Sequence, residues 1–166
     1  MDAEAVIEAL GMQPHPEGGW FVETFRDPAG GPRGHSTAIY YLLKAGERSH
    51  WHRVRDAVEV WHYYAGAPLA LYSAPEGTTV ETIVLGADLL RGERPQAIIP
   101  ANGWQAAESL GDYTLVGCTV APGFDYASFE MTAPGWTPNE NRQADTGSVQ
   151  EAMATTARVS TTCAAK

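Results

Sequence analysis

The sequence predicts an all-β sandwich or barrel built as one domain, with a short helix in front of it. Two observations carry this expectation. The 17 glycines and 11 prolines are scattered through 166 residues, so turns recur at short intervals. Between them lie short runs rich in β-branched and aromatic residues, such as Ser36-Thr37-Ala38-Ile39-Tyr40-Tyr41-Leu42-Leu43 and Tyr113 to Val120. A hydrophobic fraction of 44% is enough to fill a core at this length.

Element by element, Ala3 to Leu10 is made of helix formers, with Val6, Ile7 and Leu10 at helical spacing and Gly11 placed to end the helix. Pro14-His15-Pro16-Glu17-Gly18-Gly19 reads as a turn-rich loop leading into the strand Trp20 to Arg26, and Pro28 to Gly34 as a second loop. After Ser36 to Leu43, further strands are expected at His50 to Arg53, Val58 to Tyr64, Leu69 to Ser73 and Thr78 to Leu85. Gln96 to Ile99, Trp104 to Ala107 and Tyr113 to Val120 complete the set. That count of short strands suits a sandwich or barrel. No internal repeat is visible. From about Pro138 the chain turns to Ala, Thr, Ser, Gln and Asn, so the domain is placed at 1–137 and a polar, flexible tail at 138–166. Within that tail, Ala152 to Val159 reads as a marginal helix.

A formal net charge of -9 repels phosphate backbones and anionic lipid, which argues against nucleic acid and membrane partners. The opening Met1-Asp2-Ala3-Glu4 is acidic and no uninterrupted apolar run follows, so a cytoplasmic location is expected. Cys118 and Cys163 make no disulfide or zinc pattern, and Cys118 reads as a buried small hydrophobe.

The chemistry concentrates in His50-Trp51-His52-Arg53-Val54-Arg55-Asp56-Ala57-Val58-Glu59-Val60-Trp61-His62, where three of the five histidines and a glutamate fall within thirteen positions. Imidazole and carboxylate are the usual groups for moving protons near neutral pH or binding a transition metal. On a strand His50 and His52 share one face, and Glu59, Trp61 and Tyr63 share another. Pairing of the two strands through the Val54 to Ala57 turn would let His52 and Glu59 converge; the plainer alternative pairs Glu59 with Arg53 or Arg55 and leaves His50 and Trp51 on a rim. His62 should point to the opposite face. Past the Pro100 to Gly103 turn stand Trp104 and Gln105, the latter either a pocket amide or a partner for the turn backbone. Phe124, Tyr126 and Phe129 either wall a pocket or pack a barrel end, and Tyr126 is a candidate general acid. Gly18-Gly19 and Gly30-Gly31 lack the helix that a phosphate-cradling loop needs. No Ser-His-Asp or Cys-His arrangement stands out.

These residues resemble a cupin. Gly46, His52, Glu59 and Gly66 match the first Gly, first His, Glu and last Gly of the general first cupin motif, while Val54 stands at its second His. In the second motif Pro100 matches, Asn102 replaces the Gly and Gln105 replaces the His. The chain is more closely similar to the cupin 5 family of small single-domain cupins of unassigned function. The likeness runs from about Glu8 to Pro138 through Pro14 to Phe21, Ser36 to Leu43, Trp51 to Val54, Glu59 to His62, Pro95-Gln96, Trp104 to Ala107 and Leu115 to Phe124. It implies a jelly-roll β-barrel, commonly a homodimer, and a structural similarity to the 3,5-epimerases of dTDP-4-keto-6-deoxy sugars. Those enzymes use a histidine base and a tyrosine acid without a metal.

The expected function is therefore a metal-independent isomerase or epimerase on a small sugar-like or keto substrate. His52 would be the base, Glu59 would orient it, and Tyr126 or Tyr63 would be the acid. Trp51, Trp61, Tyr63, Trp104, Gln105, Phe124 and Phe129 would contact substrate. No cofactor is favoured. The second reading is a metal-dependent oxygenase, isomerase or hydrolase holding iron, manganese, nickel or zinc. Its ligands would be His52 and Glu59 with a third from His50, His62 or Gln105. The third is a non-catalytic binding module with a pocket lined by Trp51, Trp61, Trp104 and Tyr126.

Overall fold

Residues 2–138 are described by the structure, a computed structural model. Asp2 caps the first helix, α1 (Ala3–Leu10), by accepting the Ala5 N–H at 2.9 Å, and Gly11 ends it in the left-handed region at φ 63°. Eleven strands follow: β1 (Gln13–Pro14), β2 (Trp20–Arg26), β3 (Thr37–Lys44), β4 (Arg48–Val54), β5 (Val58–Gly66), β6 (Leu69–Ala74), β7 (Glu81–Leu85), β8 (Gln96–Ile99), β9 (Trp104–Ser109), β10 (Tyr113–Ala121) and β11 (Phe129–Met131). Two sheets form, a six-stranded one in the order β1-β2-β3-β10-β5-β8 and a five-stranded one in the order β11-β4-β9-β6-β7. Pairings between these strands are antiparallel, and the two inner faces close on each other as a jelly-roll sandwich.

Side-chain alternation assigns each strand an inner and an outer face. On β3, Tyr41 and Leu43 enter the core, while Leu42 points outward under Val6, Ile7 and Met12 of the helical segment. The inner core joins Tyr41, Leu43 and Trp61 to Leu69, Leu71 and Val116. Further along the same strands the inward positions change character. They become Thr37 and Ile39 on β3, Glu59 on β5, and Cys118 and Val120 on β10, all on the wall of an internal cavity. One end of the sandwich is thus packed and the other is hollow.

Most expected elements form near their expected bounds. The Thr78 to Leu85 run pairs only from Glu81, and β11 was not foreseen. Three residues long, β11 is held on β4 by Phe129 opposite Val54 and by Arg53, whose Nε and Nη2 donate to Glu130 at 2.9 and 2.8 Å. The hairpin expected through Val54 to Ala57 is not made: β4 and β5 belong to opposite sheets, and that segment carries the chain from one to the other. Cys118 is buried, as expected. The tail beyond Pro138, its Ala152 to Val159 helix and Cys163 lie outside the described residues. Among the described residues, no helix is long and apolar enough to cross a membrane.

Leu71 is fully buried in the packed half. Leu71→Ala should cost about 2–5 kcal/mol, read by urea denaturation as a lower midpoint at unchanged slope.

Candidate functional site

The hollow half of the sandwich encloses about 500 Å³. Its inner end is polar, with His15, Glu17, His52 and Glu59, and its walls carry Phe21, Phe124 and Phe129, with Tyr126 beside them. His52 and Glu59 reach this space from opposite sheets, across the barrel rather than along a hairpin. Both are buried, at 2% and 8% exposure.

The backbone settles the tautomer of His52. Its Nδ1 lies 2.8 Å from the His50 carbonyl oxygen, an acceptor only, so Nδ1 carries the proton and Nε2 keeps the free lone pair. That Nε2 stands 3.3 Å from Oε2 of Glu17. Burial lowers the imidazole below its ordinary value, with Glu59 acting the other way, and burial holds the Glu17 carboxyl above its own. A protonated Glu17 oxygen facing the bare Nε2 satisfies both groups with a single proton.

Glu17 reaches the interior because of the loop that carries it. The His15 N–H donates to the Gly19 carbonyl at 2.9 Å, the Gly18 N–H returns to the His15 carbonyl at 3.0 Å, and the His50 N–H donates to the Glu17 carbonyl at 2.8 Å. Gly18, at φ 105°, lies so close to the Arg48 carbonyl that a Cβ there would collide with it. Ser49 donates to Glu17 Oε1 at 3.0 Å. The neighbouring His15 ring accepts the Glu17 N–H at Nδ1 (3.2 Å) and meets Phe21 edge-on at 4.5 Å between centroids. Glu59 is held from its other side. Gln105 Nε2 donates to Glu59 Oε2, while Trp61 Nε1 donates to Gln105 Oε1 at 2.9 Å. Burial raises the Glu59 carboxyl, opposed by the nearby His52.

The model of a cupin family, described as Cupin superfamily (DUF985), matches residues 4–132. The chain belongs to this cupin family. A protein from Shewanella oneidensis is similar at 35% identity, over 80% of this chain and 85% of that one, with a TM-score of 0.76. A hypothetical protein from Leishmania major is similar at 31% identity, over 80% and 88% of the two chains, with a TM-score of 0.74. CapF, a capsular polysaccharide assembling protein from Staphylococcus aureus, shares the fold at 14% identity and a TM-score of 0.58, over 72% of this cupin and 33% of CapF. No curated protein matches.

Measured against the metal-binding motifs of the superfamily, two positions of this cupin do not fit. Val54 is a buried apolar side chain on the cavity wall. Both ends of the Gln105 amide are engaged, by Trp61 and by Glu59. Among the described residues no three His, Cys, Asp or Glu side chains gather as a metal-holding group.

Of the residues expected at the site, His52, Glu59, Tyr126, Phe124 and Phe129 line the cavity. Five expected substrate contacts do not, and each has a physical reason. Trp61 is 1% exposed in the core, and Gln105 is the bridge behind Glu59. Trp51 and Trp104 point to the outer face of the five-stranded sheet, where both pack on Trp136 and Arg53 covers Trp104. Tyr63 does not line the cavity, and its hydroxyl donates to the Gly66 carbonyl at 2.6 Å. The pocket imagined between Trp51, Trp61, Trp104 and Tyr126 is not formed. His50 is exposed and contributes its backbone. His62 faces outward, as its alternation required, with Nε2 3.4 Å from Thr119 Oγ1. Glu59 pairs with neither Arg53, which takes Glu130, nor Arg55, which donates to the Ala127 carbonyl. Sequence reasoning missed Glu17 and His15. Nothing local in the Pro14 to Gly19 loop tells a buried carboxyl from a solvated one, because the burial depends on contacts with β4.

The Glu17 and His52 shifts have opposite consequences for stability. Above pH 4.5 the folded state keeps a proton on Glu17 that the unfolded chain releases, so this contribution falls as pH rises through the folded value. The His52 contribution is present above 6.5 and is lost as pH falls below it. Glu17→Gln keeps a donor toward His52 and removes the first effect. Between pH 5 and 8 its Tm should decline less than that of the native protein, as thermal denaturation across buffers would measure.

Proposed function

We propose that this cupin is a metal-independent isomerase or epimerase that moves a proton at a carbon next to a carbonyl, on a sugar-like or keto substrate. The observation that carries the reading is His52: a buried imidazole with Nδ1 tied to a backbone carbonyl, Nε2 against Glu17, and both side chains on the wall of a substrate-sized cavity. A general base needs one fixed tautomer and a place to hold the proton it takes. The His52–Glu17 pair supplies both.

In the forward step the pair takes the proton from the carbon, the C–H bond breaks, and its electrons move onto the carbonyl oxygen as an enolate. Tyr126 then returns a proton to the opposite face of that carbon, the carbonyl re-forms, and the configuration is inverted. Burial raises the Tyr126 phenol, which keeps it protonated as an acid must be. At 55% exposure its phenolate recovers a proton from solvent, to which the His52–Glu17 pair gives up the one it took, so the site returns to its starting state. The second carboxyl, Glu59, faces His52 and favours the imidazolium while it exists. The shared barrel of CapF, a protein described as assembling capsular polysaccharide, supports a sugar-like substrate at the level of fold.

Exchange of substrate C–H for solvent deuterium, followed by NMR over a panel of keto and aldo sugars, tests the reading. His52→Gln should slow exchange by about 10²–10⁴-fold, the usual share of a positioned acid or base, and Tyr126→Phe should slow inversion by a similar factor while exchange persists. Activity abolished by a chelator and restored by a divalent metal alone would instead establish the metal-dependent reading. Ligand retention with no exchange in any substrate would establish the binding module.

A further inference from the structure

The charges on the cavity wall say what kind of molecule fits, given the proton-transfer reading on which this inference rests. Among the described residues two cationic side chains lie on that wall, Arg26 and Arg33. Arg26 is clasped by Glu23, with Nε and Nη2 at 3.0 and 2.7 Å from its two oxygens, and its Nη1 donates to the Arg33 and Phe124 carbonyls. Arg33 is clasped by Asp56 at 2.7 and 2.8 Å, and its Nε donates to the Gly123 carbonyl. Each guanidinium therefore already has its carboxylate in the two-point geometry that an anionic ligand would need. What the wall has left over is acidic: Glu17 and Glu59 at the inner end and Asp125 near the mouth. His15 is lowered chiefly by burial and stays neutral.

We infer that the cavity selects an uncharged, hydroxyl-rich carbonyl compound the size of a simple sugar, and rejects its phosphorylated, carboxylated and nucleotide-linked counterparts. Carboxyl and carboxylate oxygens accept hydrogen bonds from hydroxyl groups, whereas a second anion beside them would be buried without a countercharge. The edge-to-face group of Phe124, Tyr126 and Phe129, with centroids 5.0 to 5.9 Å apart, offers ring faces to the C–H side of a sugar ring. A volume of about 500 Å³ has room for a molecule of that size.

The test is calorimetric titration of the whole chain with free aldoses and ketoses, with the phosphate esters and aldonic acids of the same sugars, and with dTDP-linked sugars. At least one neutral sugar should bind, with its phosphate ester at least tenfold weaker. Asp56→Asn, which frees Arg33, should narrow that ratio. Glu23→Gln, which frees Arg26, is the second variant should the first fail to fold. A phosphate ester or dTDP-linked sugar binding as tightly as the neutral sugar overturns the inference, and so does the absence of any neutral binder at millimolar concentration. Deuterium exchange separates the two claims. A neutral sugar that binds without exchange upholds the substrate class and ends the proton-transfer reading; exchange confined to an anionic sugar does the reverse.

Discussion

A carboxyl group inside an apolar barrel is tolerated only when each of its oxygens is answered, and the site is built around meeting that demand for Glu17. Ser49 serves one oxygen and His52 stands against the other. Both partners lie on β4, the strand that the Pro14 to Gly19 loop crosses at Gly18. That crossing works only with a residue that has no side chain, so the position of the carboxyl and the absence of a Cβ on the next residue are one requirement. Glu59 meets the same demand by a different route, through an amide that is itself held by an indole deep in the core.

Much of the fold was legible because it depends on local chemistry. Asp2 and Gly11 bound a helix of apolar period, and β3, β5 and β10 are runs of eight or nine residues rich in β-branched and aromatic side chains. The motif positions His52 and Glu59 were legible as a pair, and they do meet on the cavity wall. The route by which they meet was not, because a period of two says which residues share a face and nothing of which sheet a strand joins. The same limit explains Trp51 and Trp104. Their neighbours His52 and Gln105 point inward, so these indoles must point out, and only the sheet assignment shows that outward means away from the cavity. Tyr63 shares the inward face with Glu59 but lies farther along β5, past the boundary between hollow and packed halves.

Glu17 was hidden for another reason. A loop of Pro and Gly reads as surface, and an acidic residue in it reads as solvated. Its burial follows from a strand about thirty residues later, whose His50 N–H donates to the Glu17 carbonyl and whose Ser49 donates to its carboxyl, a long-range feature without local signature. The positions Val54 and Gln105 were legible as departures from a metal-binding pattern. What they do instead, one lining the wall and the other bracing Glu59, needed the third dimension.

Helix α1 lines no part of the cavity, yet it is mechanically in series with it. Its apolar face sits on the outside of the six-stranded sheet over Leu42, and Met12 continues that contact directly into β1. β1 pairs with β2, and the next residues are His15 and Glu17. The free energy of docking the helix on the outer wall and the free energy of seating a carboxyl on the inner wall are thus drawn from the same six-residue tether. A ligand, antibody or fused segment that pries α1 from the sheet would be felt inside the barrel, as slack in the acidic side chain set against Nε2 of the imidazole.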